Sequence, residues 1–83
     1  MTPYTVFIRE GAMTSMPKSH AQKRLIMNFI QDLAHDPFHI GHYIDHDNLG
    51  RSNEVKIIGR FAVTYWADHA SREVKVLNIQ PAD

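Results

Sequence analysis

The sequence contains no cysteine, which excludes disulfide bonds and thiolate chemistry and argues against a small secreted domain. Its nine basic and nine acidic residues cancel, whereas proteins that bind nucleic acids are usually strongly basic. Any phosphate-binding charge must therefore be concentrated locally. The sequence also lacks an apolar run near the roughly 18 residues that a membrane-spanning helix needs. We expect a soluble cytoplasmic protein with no membrane partner.

Familiar catalytic patterns are missing too. The sequence shows no Ser-His-Asp or Cys-His arrangement, no glycine-rich phosphate loop and no paired catalytic carboxylates. One dense polar cluster lies between residues 35 and 47, where His39, His42 and His46 are weak candidates for metal ligands. Their spacing matches no known metal site, so we interpret them as exposed loop histidines. We expect no metal and no cofactor.

The N-terminal half predicts a short strand followed by one main helix. The 83 residues are enough for a single domain. Residues 4–8 are rich in β-prone side chains, residues 11–19 suggest a connector, and Ser15 or Ser19 is a plausible helix N-cap. From about residue 18 to residue 35, apolar side chains recur at steps of three and four. This stripe comprises Ala21, Leu25, Ile26, Phe29, Ile30, Leu33 and Ala34.

The C-terminal third predicts an antiparallel sheet and does most to define the fold. Residues 54–58 and 61–68 read as two strands joined by a two-residue turn, and residues 72–79 read as a third strand. Glycine at position 59 suits the first central position of a type II′ turn. This turn pairs Ile58 with Phe61, Lys56 with Val63 and Glu54 with Tyr65. A further short strand is expected near residues 42–45, and residues 47–50 and 51–53 suggest turns.

Both faces of this hairpin are largely apolar, whereas a sheet with one face exposed to solvent usually has polar side chains on that face. One face would pack on the helix, and the other would be covered by something else. The side chains of this second face are candidates for binding a partner: Val55, Ile57, Ala62, Thr64 and Trp66.

These features resemble the RelE/ParE superfamily of bacterial toxins from type II toxin–antitoxin modules. The matching stretches are residues 57–65, residues 73–79 and the helix-ending segment 33–37 followed by Gly41. The resemblance implies an α+β fold: an N-terminal strand, one main helix or a helical hairpin, and an antiparallel sheet of three to four strands. It also implies an antitoxin partner and growth inhibition through ribosome-bound mRNA or DNA gyrase. Plasmid stabilisation is the cellular role that the resemblance implies.

The sequence departs from this family at positions that matter for RNA cleavage. Ile57 and Ala62 stand where the family often has arginine, and the last four residues contain neither tyrosine nor histidine. Cleavage needs positive charge near the phosphate and groups that transfer protons. These departures weaken the case for an endoribonuclease. A gyrase-directed toxin or a catalytically degenerate one is at least an equal alternative. The remaining basic residues of the sheet are candidate phosphate contacts: Lys56, Arg60, Arg72 and Lys75, with Arg51 beside them.

A second hypothesis belongs to a different class. Zero net charge and two apolar sheet faces also fit a non-catalytic module that forms a homodimer through the second face. The two hypotheses make different predictions, because a toxin arrests growth when expressed and a homodimerisation module does not.

Overall fold

The computed structural model describes residues 2–82, in which two helices and five strands form a mixed α+β structure. The elements are β1 (Thr5–Ile8), α1 (Glu10–Thr14), α2 (His20–Asp32), β2 (Tyr43–His46), β3 (Ser52–Ile58), β4 (Phe61–Asp68) and β5 (Glu73–Pro81). The strands lie in the order β1-β5-β4-β3-β2. Strand β1 is parallel to β5, and the other neighbours are antiparallel. The predicted architecture is confirmed, with four antiparallel strands after the main helix.

Helix α2 is the main helix predicted from the apolar stripe, but it is shorter at both ends. It begins after Ser19, whose hydroxyl accepts a hydrogen bond from the Gln22 N–H at 3.4 Å, so one of the two predicted caps is confirmed. It ends at Asp32, with Leu33 as the C-cap. Within residues 2–82, no helix is both long enough and apolar enough to cross a membrane.

The buried stripe of α2 is narrower than the predicted one. Ile26, Ile30 and Leu33 are buried against the sheet, whereas Leu25 is 54% exposed and Ala21 is exposed. The fully buried contact is one line of residues at i, i+4 and i+7, Met27 and Phe29 beside it are half-buried, and the outer flank stays in water. The hydrophobic core is formed by Ala12, Ile26, Ile30, Leu33, Val63, Tyr65, Val74, Val76 and Ile79.

The connector expected over residues 11–19 is wrong in its first part, because α1 occupies residues 10–14. The helix has only five residues and contributes one core side chain, Ala12. A helix this short has no apolar periodicity to reveal it in the sequence. The turn expected at residues 51–53 is also wrong in part, since β3 already begins at Ser52.

The β3–β4 hairpin has the predicted register. Ile58 pairs with Phe61, Lys56 with Val63 and Glu54 with Tyr65. Gly59 has a φ of +61°, and Arg60 does not adopt a positive φ, as a type II′ turn requires. The side chain of Gln22 lies against Gly59 and donates a hydrogen bond to the Ile58 carbonyl at 3.0 Å, so α2 also fixes the tip of the hairpin.

Gly41 lies where the loop before β2 passes closest to the backbone of β3. A Cβ atom at this position would be 2.5 Å from the Val55 carbonyl oxygen. We therefore expect Gly41→Ala to lower the free energy of unfolding by about 1–3 kcal/mol, because neither backbone segment can move freely.

The matched control is Gly11→Ala, which adds the same methyl group inside α1 with no atom within 4 Å. Alanine is the better helix former by about 0.5–1 kcal/mol, so this change should be neutral or stabilising. Urea denaturation followed by circular dichroism measures both variants. Equal stabilities for the two variants would contradict the tight approach at Gly41.

Candidate functional site on the open sheet face

Helix α2 covers one face of the sheet, and we call the opposite face the open face. The hairpin register and the alternation of side chains along each strand assign residues to it. Lys75 of β5 lies between Trp66 of β4 and Phe7 of β1 in the pairing register. The open face therefore has an aromatic and basic row across three neighbouring strands.

Two cations lie over the indole ring of Trp66. The guanidinium carbon of Arg51 is 4.3 Å from the ring centroid, and the Lys75 ammonium nitrogen is 5.1 Å from it. We call Arg51, Trp66 and Lys75 the Trp66 cluster. Both distances are within the range in which the negative face of an aromatic ring attracts a cation. Each cation also has a carboxylate oxygen 3.9 Å away, from Asp47 for Arg51 and from Glu73 for Lys75, and keeps further N–H groups that can bind a phosphate or a carboxylate.

Asp47 holds Arg51 in place through the loop between β2 and β3. One carboxylate oxygen, Oδ1, accepts hydrogen bonds from the N–H groups of Leu49 and Arg51, each at 2.9 Å. The other oxygen, Oδ2, is 3.9 Å from the Arg51 Nε atom. The Arg51 backbone hydrogen bond is the main reason that the pKa of Asp47 lies below its ordinary value. Asp47 is therefore negatively charged at neutral pH, and the turn presents Arg51 toward Trp66.

A shallow cleft of about 330 Å³ borders the Trp66 cluster. Its lining combines apolar and basic side chains: Phe7, Ile8, Arg9, Arg51, Lys75, Val76 and Leu77. Phe7 is 49% exposed although it is large and apolar. The open face thus offers aromatic surface and positive charge side by side, which suits a flat ring attached to an anionic group.

The segment before β2 is tied to the sheet by groups that could otherwise act as acids or bases. The Tyr65 hydroxyl donates to the His39 carbonyl at 2.9 Å, and a Glu54 carboxylate oxygen accepts from the Gly41 N–H at 2.7 Å. Burial raises the pKa of Tyr65 well above its usual value, and the nearby Glu54 charge raises it further. Tyr65 therefore acts as a neutral hydrogen-bond donor that ties the His39 backbone to the sheet.

The three weak metal candidates point to different partners. His39 contacts an Asp36 carboxylate oxygen at 3.1 Å, His42 accepts from the Ile57 N–H at 2.9 Å, and His46 is 3.3 Å from the Ser52 hydroxyl. The His42 ring thereby accepts a hydrogen bond from a β3 backbone N–H at a position that β2, which begins at Tyr43, does not reach. In the part of the chain that the structure describes, no three histidine, aspartate or glutamate side chains come together as metal ligands.

Two solved structures have the same arrangement of elements. One chain from the toxin–antitoxin complex RelBE2 of Mycobacterium tuberculosis aligns with a TM-score of 0.74 and 21% identity, covering 95% of this chain and 98% of that one. One chain from the RelE–RelB complex of Pyrococcus horikoshii aligns with a TM-score of 0.76 and 20% identity, covering 99% and 97%. The chain has the RelE-type fold. No protein-family model and no curated protein sequence matches it significantly.

Within this RelE-type fold, the two positions where the resemblance implies arginine are direct neighbours. Ile57 of β3 pairs with Ala62 of β4, so both departures create one apolar spot near the hairpin tip. Positive charge on the open face is instead supplied by Arg51 and Lys75, and Arg9 lies at the edge of the same cleft. Arg9 was missed by sequence reasoning because it lies far along the chain from the sheet and only the parallel pairing of β1 with β5 brings it there.

The structure does not bring the four predicted phosphate contacts together. Lys56 lies on the helix-covered face, Arg60 is at the exposed tip of the β3–β4 hairpin, and Arg72 is in the turn before β5. Those two turns are at opposite ends of β4, roughly 25 Å apart at the usual rise of a strand. Arg72 lies 5.8 Å from the ring centroid of Tyr4 instead. Among the four, Lys75 is the residue that the structure places in the Trp66 cluster.

The five predicted partner-binding residues lie on the open face, but most of their surface is already covered. Val55, Ala62 and Thr64 are buried, at 3%, 2% and 8% exposure, so they form the floor of the face and offer little area to a partner. Ile57 and Trp66 are half-buried.

Proposed function

We propose that this chain is the toxin component of a bacterial type II toxin–antitoxin module and that the open face is its working surface. The alignment of nearly the whole chain with proteins from two RelE–RelB complexes supports this proposal. The Trp66 cluster is the observation that favours the open face over the rest of the surface, because it concentrates charge and aromatic area in a chain with zero net charge.

An antitoxin is the partner that this proposal requires. One of the similar structures is described as a toxin–antitoxin complex and the other as a RelE–RelB complex. This chain also exposes large apolar side chains around β2, which forms one edge of the sheet: Ile40 at 78%, Tyr43 at 53%, Ile44 at 54% and Leu49 at 84%. An exposed edge strand with large apolar side chains around it is typical of a protein that another polypeptide covers.

Translation is the target that we favour over DNA gyrase. Cations held beside an aromatic ring are a common way to bind single-stranded RNA, since the ring stacks on a base and the cations contact phosphates. In this proposal, Arg51 and Lys75, which lie over Trp66, contact the phosphates of ribosome-bound mRNA, and a base stacks on the exposed ring of Phe7 beside Lys75. The cluster supplies binding and charge stabilisation. We assign no general acid or base. In this proposal the chain inhibits translation by occupying the mRNA site on the ribosome, without cleaving the RNA.

Co-expression with the adjacent gene tests the proposal. The chain alone should arrest the growth of a bacterial host, and the neighbouring gene product should relieve the arrest and co-purify as a defined complex. Abundant soluble protein with unaffected growth and no complex would contradict the proposal. A stable homodimer in sedimentation analysis under those conditions would favour the alternative, a non-catalytic homodimeric interaction module.

A further inference from the structure

A second cleft on the open face differs in character from the one beside the Trp66 cluster. It has a volume of about 370 Å³ and lies between the start of α1 and the β2–β3 edge. Oxygen-bearing side chains dominate its lining, which comprises Arg9, Gly11, Asp45, Asp47, Asn53, Thr64, Leu77, Asn78 and Gln80. The lining holds two carboxylates and one cation, Arg9, so this cleft is net acidic, whereas the first one is basic.

Asn53 is the most informative residue of this cleft. It is 3% exposed, and its side-chain carbonyl oxygen Oδ1 is buried without a hydrogen-bond partner. A buried polar atom with no partner is destabilising, and few are found in folded proteins. Valine or threonine would suit this strand position better, because both are good strand formers. A ligand would remove this cost by donating a hydrogen bond to the oxygen, after a small rotation of the Asn53 side chain toward the cleft.

Asp45 supplies a charge beside that oxygen. It pairs with Asn53 across β2 and β3, so both side chains are on the open face. Its Oδ1 atom accepts a hydrogen bond from the His46 N–H at 3.0 Å, and no basic side chain of residues 2–82 forms an ion pair with it. The carboxylate therefore retains acceptor capacity toward the cleft.

We propose that this cleft binds a basic side chain, arginine or lysine, from the partner polypeptide. The inference rests on the proposed function, because the polypeptide in question is the proposed antitoxin. The cationic head would donate to Asp45 and Asn53, and Thr64 and Asn78 would accept from its remaining N–H groups. The open face is then bipolar: the Trp66 cluster takes acidic groups of the partner, and the Asp45 cleft takes a basic one.

Two other occupants fit the cleft less well. RNA is disfavoured because its phosphates would meet Asp45 and Asp47. A divalent metal ion is disfavoured because the Asp47 Oδ1 atom is already used by two backbone N–H groups. Asn78 and Gln80 line the cleft with amide donors as well as acceptors, which suits a hydrogen-bonding side chain better than an ion.

Chemical-shift mapping of the isotope-labelled full chain tests this inference. The probe is the blocked tripeptide acetyl-Gly-Arg-Gly-amide, and the matched control peptide has neutral citrulline in place of arginine. The arginine peptide should shift the amide resonances of Asn53, Thr64 and Asn78, and the citrulline peptide should not. Asp45→Asn should weaken binding roughly tenfold or more, because a charged hydrogen bond is lost while the shape is kept. Asp32→Asn, an equal change on exposed α2, should leave binding unchanged.

Equal shifts with both peptides, no shifts with either, or unchanged binding by Asp45→Asn would overturn the assignment. Shifts at the same residues with calcium or magnesium ions but not with the arginine peptide would also overturn it in favour of a metal site. Asn53→Leu provides a second variant that removes the unpartnered oxygen and should abolish the shifts. Growth arrest without peptide binding would refute the cleft assignment alone, and peptide binding without growth arrest would refute the toxin proposal alone.

Discussion

Replacing Tyr65 by alanine is expected to lower the free energy of unfolding by about 3–5 kcal/mol. Tyr65 is 1% exposed, packs edge-on against Phe29 with ring centroids 5.6 Å apart, and bonds through its hydroxyl to the His39 carbonyl. Truncating a buried aromatic side chain costs about 3–5 kcal/mol. A chain of this length has a total stability of about 4–12 kcal/mol, so the variant should lose at least about a quarter of it and, at the lower end, unfold. Urea denaturation followed by circular dichroism measures the loss.

Tyr43→Ala is the matched control, because Tyr43 lies on the edge strand β2 and is 53% exposed. The same truncation there should change the stability by less than about 1 kcal/mol. Tyr65→Phe separates the hydrogen bond from the packing and should cost about 1–3 kcal/mol, since the His39 carbonyl loses its donor. Similar losses for the two tyrosine-to-alanine variants would show that Tyr65 does not link the 37–42 segment to the sheet.

Reversing the charge of Lys75 is expected to abolish growth arrest without unfolding the protein. Lys75→Glu places a carboxylate beside Trp66 and Arg51, where the proposed function requires positive charge for phosphate contacts. The side chain is partly exposed, so the stability should change by no more than about 1 kcal/mol. The measurement is colony formation after induction, with the soluble protein level of each variant determined in parallel.

Arg60→Glu makes the same change of charge at the hairpin tip, far from the Trp66 cluster. This control should arrest growth as strongly as the wild type does. If both variants arrest growth equally, the Trp66 cluster is not the working surface. If both lose activity equally, net charge and not the position of Lys75 determines toxicity.

The hairpin and the main helix could be predicted from the sequence because each depends on local signals. Gly59 sets the turn and with it the pairing of Ile58 with Phe61, which the structure confirms. The periodic apolar residues of α2 predicted a helix, and Ser19, one of the two predicted caps, marks its start. The error at Leu25 arose because periodicity shows which side of a helix is apolar but not how wide the contact with the sheet is.

The candidate site could not be predicted in the same way, because it depends on pairing between distant segments. Arg51, Trp66 and Lys75 come from the β2–β3 loop and two different strands. Their meeting depends on the register of β4 with β5, which shifts at an irregularity between Thr64 and Tyr65. A register shift of one residue moves side chains to the other face of a sheet. Sequence spacing alone therefore gave a dispersed set of basic residues.

The most direct test of the proposed function is a time course of growth and reporter translation after induced expression in a bacterial host. A toxin that acts on translation predicts growth arrest with an early fall in reporter synthesis, and relief of both effects by the adjacent gene. Arrest with intact translation and DNA damage signalling would reject the RNA site and point to gyrase. Unchanged growth in cells that accumulate soluble, folded protein would contradict the toxin proposal itself.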